Sequence, residues 1–214
     1  MASEEFEKLK AHMAANPMPP VERAEMRLQM EAFGTRAKLP ADMVEEASSD
    51  TPVPTTIFTP ADAQPGLILF AHGGGFTLGS IGSHRHVAAW LGEAARRKVA
   101  IFDYRLAPEH PFPAALEDYR AMFQWALDQG YAPAQIALAG DSAGANLSVS
   151  LAVNEGLPKP GAIAALSPSF DLAAYLALDP RENTHATVDA GMIAEGFELY
   201  RGQTDAADPR ISPN

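Results

Sequence analysis

Residues 136–154 read IALAGDSAGANLSVSLAVN, and they contain the most specific structural signal in the sequence. Its first four residues, 136–139, are apolar and predict a buried strand, whereas residues 143–154 predict a helix. Between them the pentapeptide GDSAG, 140–144, has the G-x-S-x-G pattern of a tight strand-to-helix turn. On such a turn the flanking positions must lack bulk, and the serine oxygen must project clear of the sheet. Ser142 is therefore the candidate nucleophile.

Short apolar runs and helical stretches alternate on both sides of this turn. Further strands are predicted over Val53 to Phe58, Leu67 to Ala71, Val99 to Tyr104 and Ala162 to Leu166. Further helices are predicted over His84 to Arg97 and Ala114 to Gln129. This alternation predicts an α/β fold with a mainly parallel sheet that helices cover on both faces.

Two helical patterns precede the sheet, at Ser3 to Asn16 and Val21 to Phe33. The segment PMPP at 17–20 separates them, because its prolines cannot continue a helix. Scattered apolar residues on both patterns predict that they pack on something larger, and a lid is one such role. The sequence therefore divides into N-terminal cap helices, 1–45, and a core, 46–214.

The composition narrows the class of protein. With 214 residues, 47% of them hydrophobic, the chain can bury one substantial core, and it has no cysteine for disulfides or zinc-thiolate sites. A formal net charge of -11 disfavours nucleic acid and anionic lipid as partners. The first twenty residues resemble neither a secretory signal nor an anchor, and no stretch has membrane-spanning length. We expect a cytoplasmic protein that binds neither nucleic acid nor membranes.

The histidines do not predict a metal site. They lack the spacings H-x-x-x-H and H-E-x-x-H, so we expect no metal. His84 and His86 stand two residues apart in a predicted helix and so would not share a face. The plain interpretation of both is a solvated or capping side chain.

A glycine-rich segment, His72-Gly73-Gly74-Gly75-Phe76, follows the predicted strand at 67–71. Successive glycines leave backbone N–H groups unshielded, which suits an oxyanion hole built from main-chain donors. A simple flexible loop is the alternative. A dinucleotide-binding loop is excluded, because the third glycine of a G-x-G-x-x-G pattern would fall on Leu78.

Three segments together carry a specific family resemblance: HGGGF at 72–76, DYRLAPEHPFPAALED at 103–118 and GDSAG at 140–144. The set is similar to the hormone-sensitive-lipase-like family of microbial carboxylesterases. LSPSFDL at 166–172 and DPRISP at 208–213 also resemble segments of that family. The resemblance implies an α/β-hydrolase fold for the core.

The resemblance also implies a reaction. Ser142 would attack an ester carbonyl and form an acyl-enzyme that water hydrolyses, with short acyl chains preferred and without metal or organic cofactor. The oxyanion would bind the N–H groups of Gly74, Gly75 and Ala143. Substrate contacts are expected from Phe76, Asp141 and His185. Bracing of the scaffold is expected from Tyr104, Arg105, Glu109 and Asp118.

The sequence departs from the family pattern at the triad. The family order is serine, acid, histidine, and both partners lie beyond the segment that DPRISP resembles. His185 is the one histidine after Ser142. Asp171 and His185 have the right order, but Asp171 matches a family position that is not the triad acid. A compact triad from these two is therefore the less favoured interpretation.

Three explanations of this departure are open. The chain is a fragment of a longer esterase, a natural short form that binds small molecules without catalysis, or a chain that borrows the missing groups from a partner. The intact glycine loop and serine turn favour the fragment. A parallel sheet that lacks strands would leave an unpaired apolar edge, so we also expect the chain to associate with itself as a homo-oligomer.

Overall fold

The computed structural model describes residues 3–15, 21–154, 156–178 and 190–213. Within these ranges, six strands form one sheet in the order β1-β2-β4-β3-β5-β6. The strands are β1 (Val44–Ser48), β2 (Thr55–Thr59), β3 (Leu67–Ala71), β4 (Lys98–Phe102), β5 (Ile136–Asp141) and β6 (Ala162–Leu166). The four strands β4, β3, β5 and β6 run parallel, and β1 and β2 extend the sheet antiparallel. The predicted mainly parallel α/β architecture is confirmed.

Seven α-helices lie in the described part of the chain. They are α1 (Glu4–Ala15), α2 (Arg23–Thr35), α3 (Ile81–Ala95), α4 (Ala114–Asp128), α5 (Ala143–Asn154), α6 (Leu172–Ala177) and α7 (Ala190–Arg201). Helix α3 begins three residues before the predicted start because Ser80 caps it: Ser80 Oγ accepts from Ser83 N–H, and Ser83 Oγ accepts from Ser80 N–H. None of these helices combines the length and apolar character needed to cross a bilayer.

Strand β1 was not predicted from the sequence. Its residues, VEEAS, are mostly exposed and include two adjacent glutamates, so no apolar pattern marks it. It forms because Val44 to Ser48 pairs in register with β2, residue for residue. Since β1 crosses positions 45 and 46, the sheet begins just before the predicted boundary of the core. The division into cap helices, 1–45, and core, 46–214, stays a prediction.

The core lies on both faces of the sheet. All five residues of β3 are buried, with Leu67 and Leu69 in the cluster formed with α4 and α5. Ile68 and Phe70 lie in the cluster on the α3 side. Burial on both faces explains why this strand is apolar throughout instead of alternating.

The strand order places the loop after β3 beside the loop after β5. Ala71, the last residue of β3, pairs with Gly140 of β5, and the two strands are parallel. Their carboxyl ends therefore meet at the same edge of the sheet, where ligands bind in open α/β sheets. The glycine-rich segment and the GDSAG turn both begin at this edge.

Candidate active site

Ser142 occupies the predicted turn between β5 and α5. Its φ of 51° lies in the left-handed region, a conformation that costs a residue with a side chain about 1–3 kcal/mol. Two main-chain hydrogen bonds hold it there. The N–H of Ser142 donates to Leu166 O over 2.9 Å, and Ser142 O accepts from Asn146 N–H over 3.1 Å. The side chain is half-buried, at the edge where β3 and β5 end.

The two glycines of the turn are required by close backbone contacts. A methyl group on Gly144 would overlap the carbonyl oxygen of Ala71, at the end of β3. A methyl group on Gly140 would overlap the backbone of Gly144 itself. The predicted need for small flanking residues is met by the structure, which packs the first turn of α5 directly onto the neighbouring strand.

The glycine-rich segment forms a tight loop that opens toward solvent. Gly74 has a φ of 124°, and its carbonyl oxygen accepts from the N–H groups of Thr77 and Leu78 over 3.1 and 2.9 Å. A methyl group on Gly74 would overlap Leu78 O, whereas one on Gly75 would meet no atom within 4 Å. Gly75 therefore borders open space.

Two carbonyl groups of this loop accept hydrogen bonds, and these bonds fix the direction of the N–H group that follows each carbonyl. His72 Nδ1 lies 2.9 Å from Gly73 O, so it donates there, and Gly74 O is held by Thr77 and Leu78 as above. In a planar trans peptide the C=O and the following N–H point in opposite directions. The N–H groups of Gly74 and Gly75 therefore point away from these donors.

Asp141 links the loop to the turn. Its Oδ1 accepts a 2.9 Å hydrogen bond from Gly73 N–H, and its Oδ2 lies 3.4 Å from His84 Nε2. A methyl group on Gly73 would overlap this carboxylate. Both oxygens of Asp141 thus face groups of the protein, and the predicted contact between Asp141 and a substrate stays a prediction.

His72 is a buried, neutral side chain behind the loop. Its ring stacks on Tyr104, at 4.3 Å between centroids, and lies 5.5 Å from the ring of His84. Burial, and then the nearby His84, lower the pKa of His72 to about 4. Tyr104 Oη donates to His72 O over 2.7 Å, so the start of the loop is held from both its side chain and its main chain.

Phe76 anchors the far end of the loop. It has a φ of 61°, and its ring is fully buried. The ring stacks on Tyr200 of α7 at a centroid distance of 3.6 Å and meets Phe197 edge-on at 6.0 Å. The ring thus lies inside the core instead of lining an open cleft. The expected contact between Phe76 and a substrate stays a prediction.

The segment after β4 braces the scaffold, as predicted. Asp118 accepts hydrogen bonds from the backbone N–H of Arg105 over 2.8 Å and from its guanidinium over 2.9 Å. Glu109 accepts from both terminal nitrogens of Arg27 on α2, over 2.8 and 2.9 Å. This guanidinium holds the pKa of Glu109 down to about 2.

The structure gives Asp171, the acid considered as a triad partner, a different role. Asp171 caps α6, where its Oδ1 accepts from Ala174 N–H over 2.7 Å. His185 lies outside the described residues, and its role in binding substrate stays a prediction. Within the described ranges, no imidazole is hydrogen-bonded to Ser142 Oγ, and no group of three His, Asp or Glu side chains is arranged to hold a metal ion.

Sequence reasoning missed the position of His84. Interpreted as a solvated or capping residue, it instead has Nδ1 2.7 Å from Ser83 Oγ and Nε2 directed at Asp141. The signal available in the sequence was the serine pair Ser80 and Ser83, which starts α3 beside the glycine loop. Without the strand order, nothing in the sequence connects that helix start with Asp141.

Comparisons with known proteins identify the family to which this fold belongs. Residues 68–214 match a protein family described as alpha/beta hydrolase fold. An acetyl-hydrolase of Streptomyces hygroscopicus is 37% identical over 187 residues, which cover 86% of this chain and 61% of that protein. The carboxylic ester hydrolase LipN of Mycobacterium tuberculosis is 36% identical over 172 residues, 69% of this chain and 43% of LipN. The chain thus spans less than two thirds of the length of these relatives.

Similar solved structures cover a larger share of this chain than the relatives named above. An esterase from the bacterial hormone-sensitive lipase family superposes with a TM-score of 0.87 at 31% identity, over 100% of this chain and 74% of that one. A hormone-sensitive lipase from a metagenome library superposes with a TM-score of 0.90 at 30% identity, over 100% of this chain and 73% of that one. The fold and the order of its segments are shared with both.

Proposed function

The chain belongs to the hormone-sensitive-lipase-like family of α/β-hydrolases, and from that membership we propose that it hydrolyses carboxylic esters with Ser142 as the nucleophile. One observation carries the proposal. Ser142 sits at a left-handed turn at the same sheet edge as a loop whose Gly74 and Gly75 N–H groups point away from the atoms that hold it. This placement at one sheet edge supports the proposed roles of Ser142 as the nucleophile and of the loop N–H groups as oxyanion donors.

The proposed reaction has two steps. Ser142 Oγ forms a bond to the ester carbonyl carbon, and the N–H groups of Gly74, Gly75 and Ala143 stabilise the oxyanion that results. The bond to the alcohol oxygen then breaks, and the alcohol leaves with the proton taken from Oγ. In the second step water attacks the acyl carbon, the bond from that carbon to Ser142 Oγ breaks, and a proton from the water returns to Oγ as the carboxylic acid is released. Each oxyanion donor of this kind contributes about 10²- to 10³-fold in rate.

The proton of Ser142 Oγ needs an acceptor within hydrogen-bond reach, about 2.6–3.2 Å. We propose that this acceptor lies outside the described residues. His185 is one of the residues that the structure does not describe. His72 is committed to Gly73 O through Nδ1 and is fully buried, and His84 faces Asp141. Neither of these two histidines is therefore hydrogen-bonded to Ser142 Oγ.

The proposal also covers the acyl chain of the substrate, the need for cofactors and the cellular location. The printed name of the Streptomyces relative, acetyl-hydrolase, supports short acyl chains, and the proposed chemistry uses no metal or organic cofactor. The names of the relatives give no support to a binding protein without activity. A small-molecule ester is the proposed partner. A cytoplasmic location stays a prediction.

Hydrolysis of p-nitrophenyl esters tests this proposal. We expect the acetate and butyrate to be hydrolysed faster than the decanoate, with no change on addition of EDTA. Ser142→Ala should lower the rate by at least about 10³-fold, since removal of a serine nucleophile costs that much or more in related chemistry. Equal rates for the wild-type chain and Ser142→Ala would show that Ser142 is not the nucleophile.

A further inference from the structure

The glycine loop needs an external restraint before it can act as an oxyanion hole. Three successive glycines have more backbone freedom than any other residues, so ordering them costs the most conformational entropy. His72 Nδ1 holds the carbonyl of Gly73, and Tyr104 Oη holds the carbonyl of His72. Neither of these restraints involves a side chain of the serine turn, which meets the start of the loop through the close backbone contact of Gly144 with Ala71 and His72.

Asp141 supplies a side-chain connection between the glycine loop and the serine turn. It is the residue immediately before Ser142, and its Oδ1 accepts the N–H of Gly73 over 2.9 Å. Gly73 in turn immediately precedes the proposed donor Gly74. One hydrogen bond therefore joins the residue next to the nucleophile to the residue next to the oxyanion donor. A hydrogen bond to an ionised carboxylate is roughly twice as strong as one between neutral groups.

His84 orients the carboxylate from the other side. Its Nε2 lies 3.4 Å from Asp141 Oδ2, and its ring is fixed by Ser83 Oγ at Nδ1 and by contact with the ring of His72. The His84 side chain is only 13% exposed, so its ring has few alternative positions. The carboxylate is consequently held at both oxygens, with one directed at Gly73 and the other at the first turn of α3.

We propose that Asp141 and His84 form a positioning pair that holds the glycine loop at the correct distance from Ser142. This inference rests on the proposed ester hydrolysis, and neither residue contacts the reacting atoms in it. Asp141 is a positioning residue rather than the substrate contact expected from the sequence. His84 acts through Asp141, which explains a histidine at the start of α3 that forms no part of a metal or acid–base site.

Kinetics of two Asp141 variants separate this role from substrate binding. Asp141→Ala removes the acceptor for Gly73 N–H and should lower kcat for p-nitrophenyl acetate by about 10- to 100-fold, with KM changed less than about 3-fold, because a misplaced oxyanion donor affects the transition state. Asp141→Asn keeps an acceptor oxygen and should retain most of kcat. A raised KM with unchanged kcat in Asp141→Ala would instead identify a substrate contact and overturn the proposal.

His84→Ala tests the second member of the pair, and His86→Ala is its matched control on the same helix. We expect a smaller fall in kcat for His84→Ala, about 3- to 10-fold, because Gly73 keeps its acceptor while the carboxylate loses its orientation. His86→Ala should behave as wild type. Equal kcat values for the two alanine variants would remove His84 from the proposal.

Amide hydrogen exchange at Gly73 gives a readout that does not depend on activity. The Gly73 N–H should exchange at least about 10-fold faster in Asp141→Ala than in the wild-type chain, and the exchange rate in Asp141→Asn should stay near wild type. Slow exchange that persists in Asp141→Ala would overturn the proposal even if hydrolysis is confirmed. Conversely, full activity in Ser142→Ala would overturn the proposed function and leave the exchange result to decide the role of Asp141.

Discussion

The main-chain N–H of Ser142 donates a 2.9 Å hydrogen bond to the carbonyl oxygen of Leu166, the last residue of β6. The candidate nucleophile is thus held by the outermost strand of the described sheet. Within the described residues β6 pairs with β5 alone, and Ile163 and Leu166 are 43% and 45% exposed. The strand that holds the serine turn is therefore also an apolar edge that can pair with another chain.

We predict that the chain associates through β6. Its apparent mass should rise with concentration between about 1 and 100 µM, because unpaired backbone groups on an apolar edge strand favour pairing. Ile163→Lys should shift the chain toward the monomer, since a charge on an edge strand opposes pairing. Sedimentation velocity measures both effects.

Val153→Lys is the control for this experiment. It removes a side chain that is 63% exposed on α5 and leaves the strand edge unchanged, so its association should resemble wild type. A wild-type chain that stays monomeric over the whole concentration range would contradict the prediction.

Gly144→Ala should destabilise the fold strongly. The added methyl group would overlap Ala71 O in a part of the backbone that both β3 and α5 hold in place. Overpacking of this kind typically costs about 1–3 kcal/mol, and we expect a loss in the upper part of this range in urea unfolding. The serine turn should also lose its reactivity, because α5 has to shift.

Gly130→Ala separates overlap from backbone strain. Gly130 has a φ of 89°, but a methyl group there would meet no atom within 4 Å. Its cost should be close to that of a left-handed alanine alone, about 1 kcal/mol. If Gly144→Ala is no more destabilising than Gly130→Ala, the close contact with β3 is not a constraint on the turn.

Arg27 should be required to dock α2. Its guanidinium donates to Thr77 O over 2.8 Å and to Ala107 O over 3.0 Å, and it also pairs with Glu109. Arg27→Lys cannot satisfy three acceptors in this planar arrangement, so we expect a loss of about 1–2 kcal/mol in urea unfolding. Arg36→Ala, at the exposed residue that directly follows the helix, should change stability by less than about 0.5 kcal/mol.

The pH dependence of the Arg27 contact follows from Glu109. Arg27 lowers the pKa of Glu109 to about 2 from 4.5, so the stabilisation is fully present above pH 4.5 and is lost as the pH falls toward 2. The free energy of unfolding of Arg27→Lys should depend less on pH in this range. Equal acid sensitivity in the two proteins would contradict the role given to this ion pair.

His72 should make the fold less stable as the pH falls from about 6.5 to about 4. Burial lowers its folded pKa to about 4, so in this window the unfolded chain binds a proton that the folded chain does not bind. The free energy of unfolding therefore decreases as the pH is lowered, by up to about 3 kcal/mol for this shift. Urea unfolding at several pH values measures the slope.

His72→Asn is the comparison for this slope. The amide of asparagine can still donate toward Gly73 O, but it does not titrate, so the variant should be less stable at pH 7 and should lose less stability on acidification. Parallel pH profiles for wild type and His72→Asn would show that His72 is not held neutral by burial.

Much of the fold could be predicted from the sequence because its strands carry a strong local signal. β3 and β6 match their predicted bounds, since each is an apolar run bounded by glycine, proline or polar residues. The bounds of α5 also match, because the GDSAG turn fixes where that helix begins. β1 was missed because its stability comes from pairing with β2, which is a property of the sheet and not of the segment VEEAS.

The candidate site could be predicted only in its main-chain parts. The glycines of residues 73–75 and the turn at Ser142 have local backbone requirements that the sequence displays. The contacts of Asp141 with Gly73 and His84 join the end of β5 to segments that lie far earlier in the chain, so they depend on strand order. Phe76 illustrates the same limit, because its stacking on Tyr200 depends on the position of α7.

The roles of Ser142 and its oxyanion hole are tested most directly by the structure of the protein after reaction with a fluorophosphonate. This reagent mimics the tetrahedral intermediate when it bonds to a nucleophilic serine. We predict phosphorus bonded to Ser142 Oγ, with the phosphonyl oxygen about 2.7–3.1 Å from the nitrogen atoms of Gly74, Gly75 and Ala143. A label on another residue, or a phosphonyl oxygen directed away from the glycine loop, would contradict the assignment of Ser142 and its oxyanion hole.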